Sequence, residues 1–514
     1  MLKTEQRSLL ASWPLFLAAA VVFFLVRRLY REATIGASRR RLIKENGCRP
    51  VYKYPHKGVL GYFFGYDTIK ENYQAFKDGN FNETVRHRNF KNHNTIEIRN
   101  FKRAFITTIE PENVKTVLST KFGDFSLGKL RGETMSPVFG NGIFTSDGEK
   151  WEHSRALIRP SFTRQQVADL SSYEHHVQHL LEHMPKDGST VDLQELFFRL
   201  TMDSATEFLF GKSTNTLVKG QENPASERFI DAFTYVTERM ARDFRTARLS
   251  RFLPDEKRKT DSEFVREFAA DLIKDAIASQ RDLERGIGEK KRSYTFLYEL
   301  LKVTNDFETI RSEILNVLLA GRDTTASLLS HTFHELARRP EIWAKLQAEI
   351  DELGGHPPDY ETMKGMKYVK WILNEALRLW PVVPNNTRVA VHDTVLPLGG
   401  GPDEKSPLFV PKGTPVSYSV WTMHRRKDFF GEDADEFQPE RWEQLRTGWE
   451  YLPFNGGPRI CIGQNFALTE AAYVTIRLLQ NFRRIEPRDH APWAEFMTLT
   501  MAVRNGVHVG LYSE

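Results

Sequence analysis

The stretch Phe454–Gly463, "FNGGPRICIG", carries one of only two cysteines in a chain of 514 residues. It lies directly before the helical pattern "QNFALTEAAYVTIRLLQNF". A structural cysteine behaves as a small hydrophobe and is among the most buried residue types, whereas this one sits among glycine, proline and arginine. Glycine opens a backbone to close approach. The stretch is therefore expected to meet something large and to present its sulfur as an anion. The rest of the chain has to supply the surroundings of that partner.

Composition narrows the setting. A hydrophobic content of 40% and an aromatic content of 12% suit a globular protein with a sizeable core. Cys48 and Cys461 lie too far apart in sequence to make a disulfide framework, so the body reads as belonging to a reducing compartment. A net charge of +5 gives no nucleic-acid footprint. The basic residues gather near the start. Residues 9–26, "LLASWPLFLAAAVVFFLV", form an uncharged apolar run of bilayer length, followed by Arg27, Arg28, Arg31, Arg39, Arg40, Arg41 and Lys44. The run ends in Val-Arg-Arg rather than at a small-residue cleavage site, which favours an uncleaved anchor over a signal peptide. The positive-inside bias then puts the remainder on the cytosolic side.

The expected layout is a short lumenal N-terminus over 1–8, a transmembrane anchor over 9–26, a basic tether over 27–60 broken by Pro50 and Pro55, and a catalytic domain over 61–514. Helical patterns cover 164–184, 194–210, 224–246, 262–285, 307–338, 341–353, 368–380 and 464–481. Strand-like pieces fall near 95–109, 386–396, 407–420 and 496–512. This pattern predicts a mainly α domain with minor β-sheets (α+β). The Gly-rich run at 399–407 precedes no Gly-Lys-Ser/Thr and no helix start, so it reads as a hairpin loop and not a phosphate cradle.

Several motifs carry possible chemistry. His175, His179 and His183 share a helical face, but His176 stands where a His-Glu-x-x-His zinc site needs its glutamate, so a solvated polar face is the reading. In "LLAGRDTTASLL", Ala320 and Gly321 precede Asp323 and Thr324. Either the small pair closes a helix crossing, or the helix opens locally and admits a flat ligand, with Asp323 and Thr324 handling protons. "NEALRLWP" spaces Glu375 and Arg378 for one helical face within apolar flanks, a buried bidentate pair, and "FQPERW" offers Arg441 as a third member. "WEHSR" aligns Trp151 with Arg155. Arg388 ends "VPNNTR", and Arg459 lies inside the opening stretch, so three arginines and an indole are available to anionic groups.

Together these motifs make the chain resemble a cytochrome P450, a haem-thiolate monooxygenase of the membrane-anchored eukaryotic type. "WEHSR", "AGRDTT", "EALR" with "PERW", and "FNGGPRICIG" stand in the family's order, and the last agrees with F-x-x-G-x-R-x-C-x-G at every fixed position. The resemblance implies the cytochrome P450 fold behind an N-terminal transmembrane helix. It also implies haem b (iron protoporphyrin IX), held without a covalent link, with Cys461 as axial thiolate ligand of the iron. The start of a helix stabilises that anion, and electron donation from it favours O–O cleavage. By the same resemblance Gly457 and Gly463 allow the porphyrin to approach, and Phe454 shields the sulfur. Trp151, Arg155, Arg388 and Arg459 hold the propionates. Ala320 and Gly321 border the haem, Asp323 and Thr324 deliver protons to the reacting oxygen, and Glu375, Arg378 and Arg441 form a structural triad. The implied partners are O2, an apolar lipid substrate, membrane lipids and a separate NADPH-cytochrome P450 reductase, with the chain in the endoplasmic reticulum membrane.

Residues 125–164 and 396–413 are similar to the fungal n-alkane and fatty-acid hydroxylases, which oxidise the terminal carbon of long chains. Phe125, Leu127, Leu130, Val138, Phe139, Val382, Val383, Leu499 and Met501 are the expected pocket walls, with Asn385 and Asn386 as polar candidates. Apolar walls serve almost any such pocket, so a polycyclic or secondary-metabolite lipid is the second enzyme reading. A haem-binding protein without turnover is the third, and it leaves the Asp323–Thr324 pair unexplained. Animal ω-hydroxylases often carry a glutamate, esterified to the haem, where this chain has Ala320. Haem extractable by acid-acetone is therefore expected.

Overall fold

The helix Phe307–Ala337 is buried on nearly every side from Ser312 onward, as a helix that crosses a core is, although it carries many polar residues. Asp306 starts it, its carboxylate accepting from the Thr309 amide at 3.2 Å. From Ser312 to Ala337 every residue is buried except Ala320, Gly321 and Thr324. The helix Leu193–Phe210, capped by Asp192 through the Gln194 amide at 2.9 Å, lies along it. A Cβ added to Gly321 would meet the Ala205 methyl at 3.5 Å, and the Thr201 hydroxyl donates to the Arg322 carbonyl at 2.8 Å. Small residues thus do bring two helices together here. The helix is also continuous through this stretch rather than locally opened, because the Thr324 hydroxyl bonds back to the Ala320 carbonyl at 2.6 Å without displacing the ladder.

The computed structural model describes residues 2–100, 103–163, 168–220, 223–245, 254–284 and 295–514, with side chains from residue 16 onward except 100, 280, 283 and 284. The fold is helix-rich with small sheets. Residues 164–167, the start of the helical pattern at 164–184, lie outside the described residues, and the helix Ser171–Glu182 follows. Pro224–Arg245, Glu256–Glu284, Pro340–Asp351, Lys367–Leu379 and Gln464–Asn481 occupy the other expected helical stretches. Helices Tyr66–Asp78, Phe81–Phe90 and Lys129–Phe139 escape the sequence reading. Phe81–Phe90 is polar between its terminal phenylalanines apart from Val85, with no apolar stripe, and Lys129–Phe139 contains Pro137.

Each expected strand piece divides. The stretch 386–396 becomes Asn385–Ala390 and Thr394–Gly400, which belong to different sheets. Asn385–Ala390 pairs antiparallel with Pro415–Ser419 in a six-stranded sheet, while Thr394–Gly400 and Ser406–Val410 form a hairpin around the Gly-rich run. The 496–512 piece becomes a hairpin, Glu495–Met497 with Met501–Val503, and then His508–Tyr512 in a three-stranded sheet.

The basic stretch after Val26 is largely helical. Leu2–Arg31 continues through one π-helical turn into Ala37–Glu45. Arg39 then docks bidentately on Asp393, Nε to Oδ2 at 2.8 Å and Nη2 to Oδ1 at 2.9 Å. Residues 9–15 of the apolar run 9–26 lie outside the residues with described side chains. Its remainder is exposed, Phe16 at 72% and Phe24 at 62%. Among the described residues no helix is long and apolar enough to cross a membrane.

Candidate active site

Three accessible residues interrupt the buried central helix, and one accessible cysteine opens the helix Gln464–Asn481. Ala320, Gly321 and Thr324 form one patch and Cys461 the other. Accessibility in the middle of a buried helix requires a cleft inside the fold. The Cys461 amide donates to the Phe454 carbonyl at 3.0 Å, closing the loop that presents the sulfur. Protein packed round the thiol desolvates it and pushes it up. The Gly463 amide and the Arg155 charge act the other way.

Arg155 comes from the helix Glu149–Ile158, where it donates to the Ile460 carbonyl at 3.0 Å, beside the cysteine. Trp151, one turn earlier, is buried, with the Arg459 guanidinium 4.3 Å and that of Arg155 5.9 Å from its ring centroid. Arg459 reaches the Ser146 carbonyl at 2.9 Å and the Asp147 carboxylate at 2.8 Å. Arg388, on the strand Asn385–Ala390, is buried, and so close to Arg131 and Arg459 that it lowers both. Arg131, which the sequence reading passed over in "GKLRGE", donates to the Phe144 carbonyl at 3.0 Å. Burial, then Arg388, holds its guanidinium down at about 10, and burial likewise lowers Arg459 to about 10. Among the described residues, the only ion pair these four arginines make is Arg459 with Asp147. Four guanidiniums facing one carboxylate form a site for a ligand carrying more than one negative charge.

The acid–alcohol pair lies on the central helix. Asp323 is buried, and burial pushes its carboxyl up against the opposing charge and hydrogen bond of Arg322, at 3.1 Å. Arg322 also donates to the Thr234 hydroxyl at 3.1 Å, tying Asp323 to the helix Pro224–Arg245. Neither residue was singled out from sequence.

Glu375, Arg378 and Arg441 meet. Arg378 is fully buried and grips Glu375 bidentately, Nη2 to Oε1 at 2.7 Å and Nε to Oε2 at 2.9 Å. Arg441 Nε joins Oε1 at 2.9 Å. The Gln438 amide (2.8 Å) and the Trp442 indole (3.0 Å) fill the remaining carboxylate positions. Arg378 spends its other donors on the carbonyls of His424, Ala434 and Glu436. The set knits the helix Lys367–Leu379 to the segment that leads into the cysteine loop.

Comparison with known proteins now decides the family. The model of the cytochrome P450 family matches residues 68–507. The chain is 46% identical over 504 residues to cytochrome P450 monooxygenase himC of Aspergillus japonicus, covering 96% of this chain and 88% of that one. It is 45% identical over 490 residues to cytochrome P450 monooxygenase fsdH of Fusarium heterosporum, covering 92% and 85%. With cytochrome P450 52A5 of Candida maltosa it shares 45% over 440 residues, 81% and 82% of the two chains. The chain belongs to the cytochrome P450 family.

As a P450 it is a monooxygenase, an oxidoreductase of haem-thiolate type that uses O2 and a redox partner. The residues present fit the haem. An accessible thiol and an accessible small-residue patch of the central helix are both present, and four arginines, one of them acting on the thiol through its charge, have one carboxylate between them. Gly457 has a separate use. Its φ is +68°, and an added Cβ would fall 1.9 Å from the Leu118 carbonyl oxygen, so it lets the cysteine loop press on the backbone of 116–120. A Cβ on Gly463 would touch only the Phe162 ring, at 3.5 Å. Phe454 packs half-buried against the largest core cluster.

The expected pocket walls scatter over three cores. Val382, Val383 and Met501 belong to the largest, and the Met501 amide donates to the Val382 carbonyl at 2.9 Å. Val138, Phe139 and Leu499 join the second, against Val317 and Leu319 of the central helix. Phe125, on an edge strand of the six-stranded sheet, is packed in the third. The Leu127 amide holds Asp147 at 3.0 Å, and Leu130 is half-buried beside Arg131 in chain order. Asn385 donates to the Asn82 side chain at 2.6 Å. In the histidine run, His176 pairs with Glu207 at 2.5 Å and His183 bonds the Leu217 carbonyl at 2.8 Å.

Proposed function

We propose that this P450 is an NADPH-reductase-dependent monooxygenase of the endoplasmic reticulum membrane, hydroxylating long-chain n-alkanes or fatty acids at or near the terminal carbon. The observation that carries the substrate class is the likeness of residues 125–164 and 396–413 to the fungal alkane and fatty-acid hydroxylases. The apolar run 9–26 with its arginine flank supports a single-pass anchor and a cytosolic catalytic domain.

Each residue then has a task. Cys461 would hold haem b through its sulfur, and the haem would supply the activation of O2. Trp151, Arg131, Arg155, Arg388 and Arg459 would hold the haem's two carboxylates. Ala320 places no carboxyl where an ester to the haem would form, so acid-acetone is expected to extract the haem completely. Retention on the polypeptide would contradict this. Thr324 offers its hydroxyl to water in the cleft, and Asp323, raised by burial and restrained by Arg322, holds and passes a proton. Met501, Val382 and Leu499 exclude water from the chain end.

The deciding experiment is product identification from membranes carrying the full chain and a P450 reductase, fed mixed n-alkanes, fatty acids and polycyclic lipids with NADPH. Terminal or near-terminal alcohols are expected. Oxidation of polycyclic or secondary-metabolite lipids alone would replace this reading with the second one, which the same apolar walls would serve.

A further inference from the structure

Arg245 ends the helix Pro224–Arg245 with its guanidinium 3.7 Å from the centroid of the Phe76 ring. Its Nη1 donates to the Met497 carbonyl at 3.2 Å. Among the described residues no carboxylate forms an ion pair with it, and residues 246–253 contain no acidic side chain. The carboxyl that acts on it is that of Glu238, two turns back. Burial pushes Glu238 up, and its charge is shared between Arg242 and Arg245. Burial, and then the like charge of Arg242, brings Arg245 down to about 10. A cation has thus been drawn into an apolar junction of three elements and left short of counter-charge.

The hairpin under Arg245 leads to the reaction centre. Met497 pairs directly with Met501 across it. The Met501 amide is fixed to the Val382 carbonyl at 2.9 Å, and the Met501 carbonyl accepts from the Ser327 hydroxyl, in the turn of the central helix that follows Thr324. Leu499, at the hairpin tip, packs against the core cluster that contains Val317 and Leu319. One short hairpin therefore has the guanidinium on one strand and the neighbour of the acid–alcohol pair on the other, with an apolar tip between.

We propose that Arg245 is a specificity-determining residue that binds the carboxylate of a long-chain fatty acid, whose chain runs along the hairpin Glu495–Val503 toward Thr324. The proposal rests on the chain-end hydroxylation reading above and selects the acid over the alkane within it. An alkane or an ester gains nothing from the guanidinium, whereas a carboxylate gains a charge-assisted hydrogen bond in a partly desolvated site.

The test is a spin-state titration of the haem-loaded full chain with hexadecanoic acid, methyl hexadecanoate and n-hexadecane. For Arg245→Gln the Kd of the acid is expected to rise about tenfold or more, the value of one charge-assisted hydrogen bond, with ester and alkane unchanged. Arg245→Lys is expected to recover part of the acid's affinity. Equal losses for acid and ester, or no loss for the acid, would overturn the assignment. Should Arg245→Gln yield no holoprotein, added salt decides it in the wild type: the acid's affinity must fall with ionic strength and the ester's must not. A wild type that responds to none of the three compounds removes both this inference and the chain-end reading. A wild type that responds to the chains, with an acid affinity indifferent to Arg245, removes this inference alone.

Discussion

Asp323 and Thr324 are neighbours in sequence with opposite constraints. The Thr324 hydroxyl faces accessible space while donating back to Ala320, so its oxygen remains free to accept from water. Asp323 is turned into the protein against Arg322. The division predicts that Thr324→Ala leaves folding and haem binding intact, because a back-bonded helical threonine contributes little to stability. It should raise the peroxide released per NADPH consumed, since protons then reach the oxygen without order. Peroxide and NADPH measured together on the reconstituted enzyme check this, and unchanged coupling would remove Thr324 from the proton path. At this scale the sequence pointed to its candidates where they sit in consecutive residues, as around Cys461 and in "GRDTT". Arg131 was not legible. Nothing in "GKLRGE" marks it, and its meaning arises only when the strand carrying Arg388 and the loop carrying Arg459 arrive beside it. Gly457 was legible as necessary but not for its use, because the Leu118 carbonyl it admits lies hundreds of residues away.

Two buried acidic groups show how the helices are held, and they behave oppositely. Glu375 is fully satisfied by two arginines, an indole and an amide. Glu375→Gln leaves Arg378 buried without its counter-ion, which is expected to cost about 3–5 kcal/mol. A denaturant titration of the holoprotein measures it, and a change no larger than that of an exposed pair would show the network to be idle. Glu313, buried in the central helix near Ser154 and the Ile143 amide, has no such partners, and burial raises its carboxyl to about 7. Its folded value lies above its unfolded one, so the folded state holds the extra proton. That stability is present in full below the unfolded pKa, near 4.5, and is lost as pH rises to about 7. The loss amounts to about 3 kcal/mol. Melting temperatures are therefore expected to fall from about pH 5 to about pH 7 in the wild type and to be flatter in Glu313→Gln. Equal slopes would show that Glu313 does not titrate in that window. The existence of these helices was readable from their apolar period. The strands were read only as undivided pieces, since two strands of different sheets joined by three residues, as at Ala390 and Thr394, leave one continuous β signal.

At the scale of the molecule, the apolar surface is concentrated at one end of the chain. The helix Leu2–Arg31 exposes Phe16, Val22, Phe23 and Phe24, and the helix Gly58–Phe64 exposes Val59, Leu60, Tyr62 and Phe63, Val59 at 74%. Such surface belongs against another apolar phase. The arginines between the two helices suit anionic headgroups. The fold does not lean on the first helix. The pin between N-terminal segment and domain is Arg39 with Asp393, beyond Arg31, and the family match begins at residue 68. Removal of residues 2–31 is therefore expected to leave the haem spectrum and thermal stability of the domain unchanged. It should abolish the alkaline-resistant membrane association expected of a spanning helix, while weaker, salt-sensitive binding to anionic vesicles survives through the basic helix Ala37–Glu45 and the Gly58–Phe64 surface. Sedimentation with vesicles of neutral and anionic composition, before and after alkaline washing, separates these terms. Full alkaline-resistant association after truncation would assign the anchoring to the second apolar surface and deprive the first helix of that role.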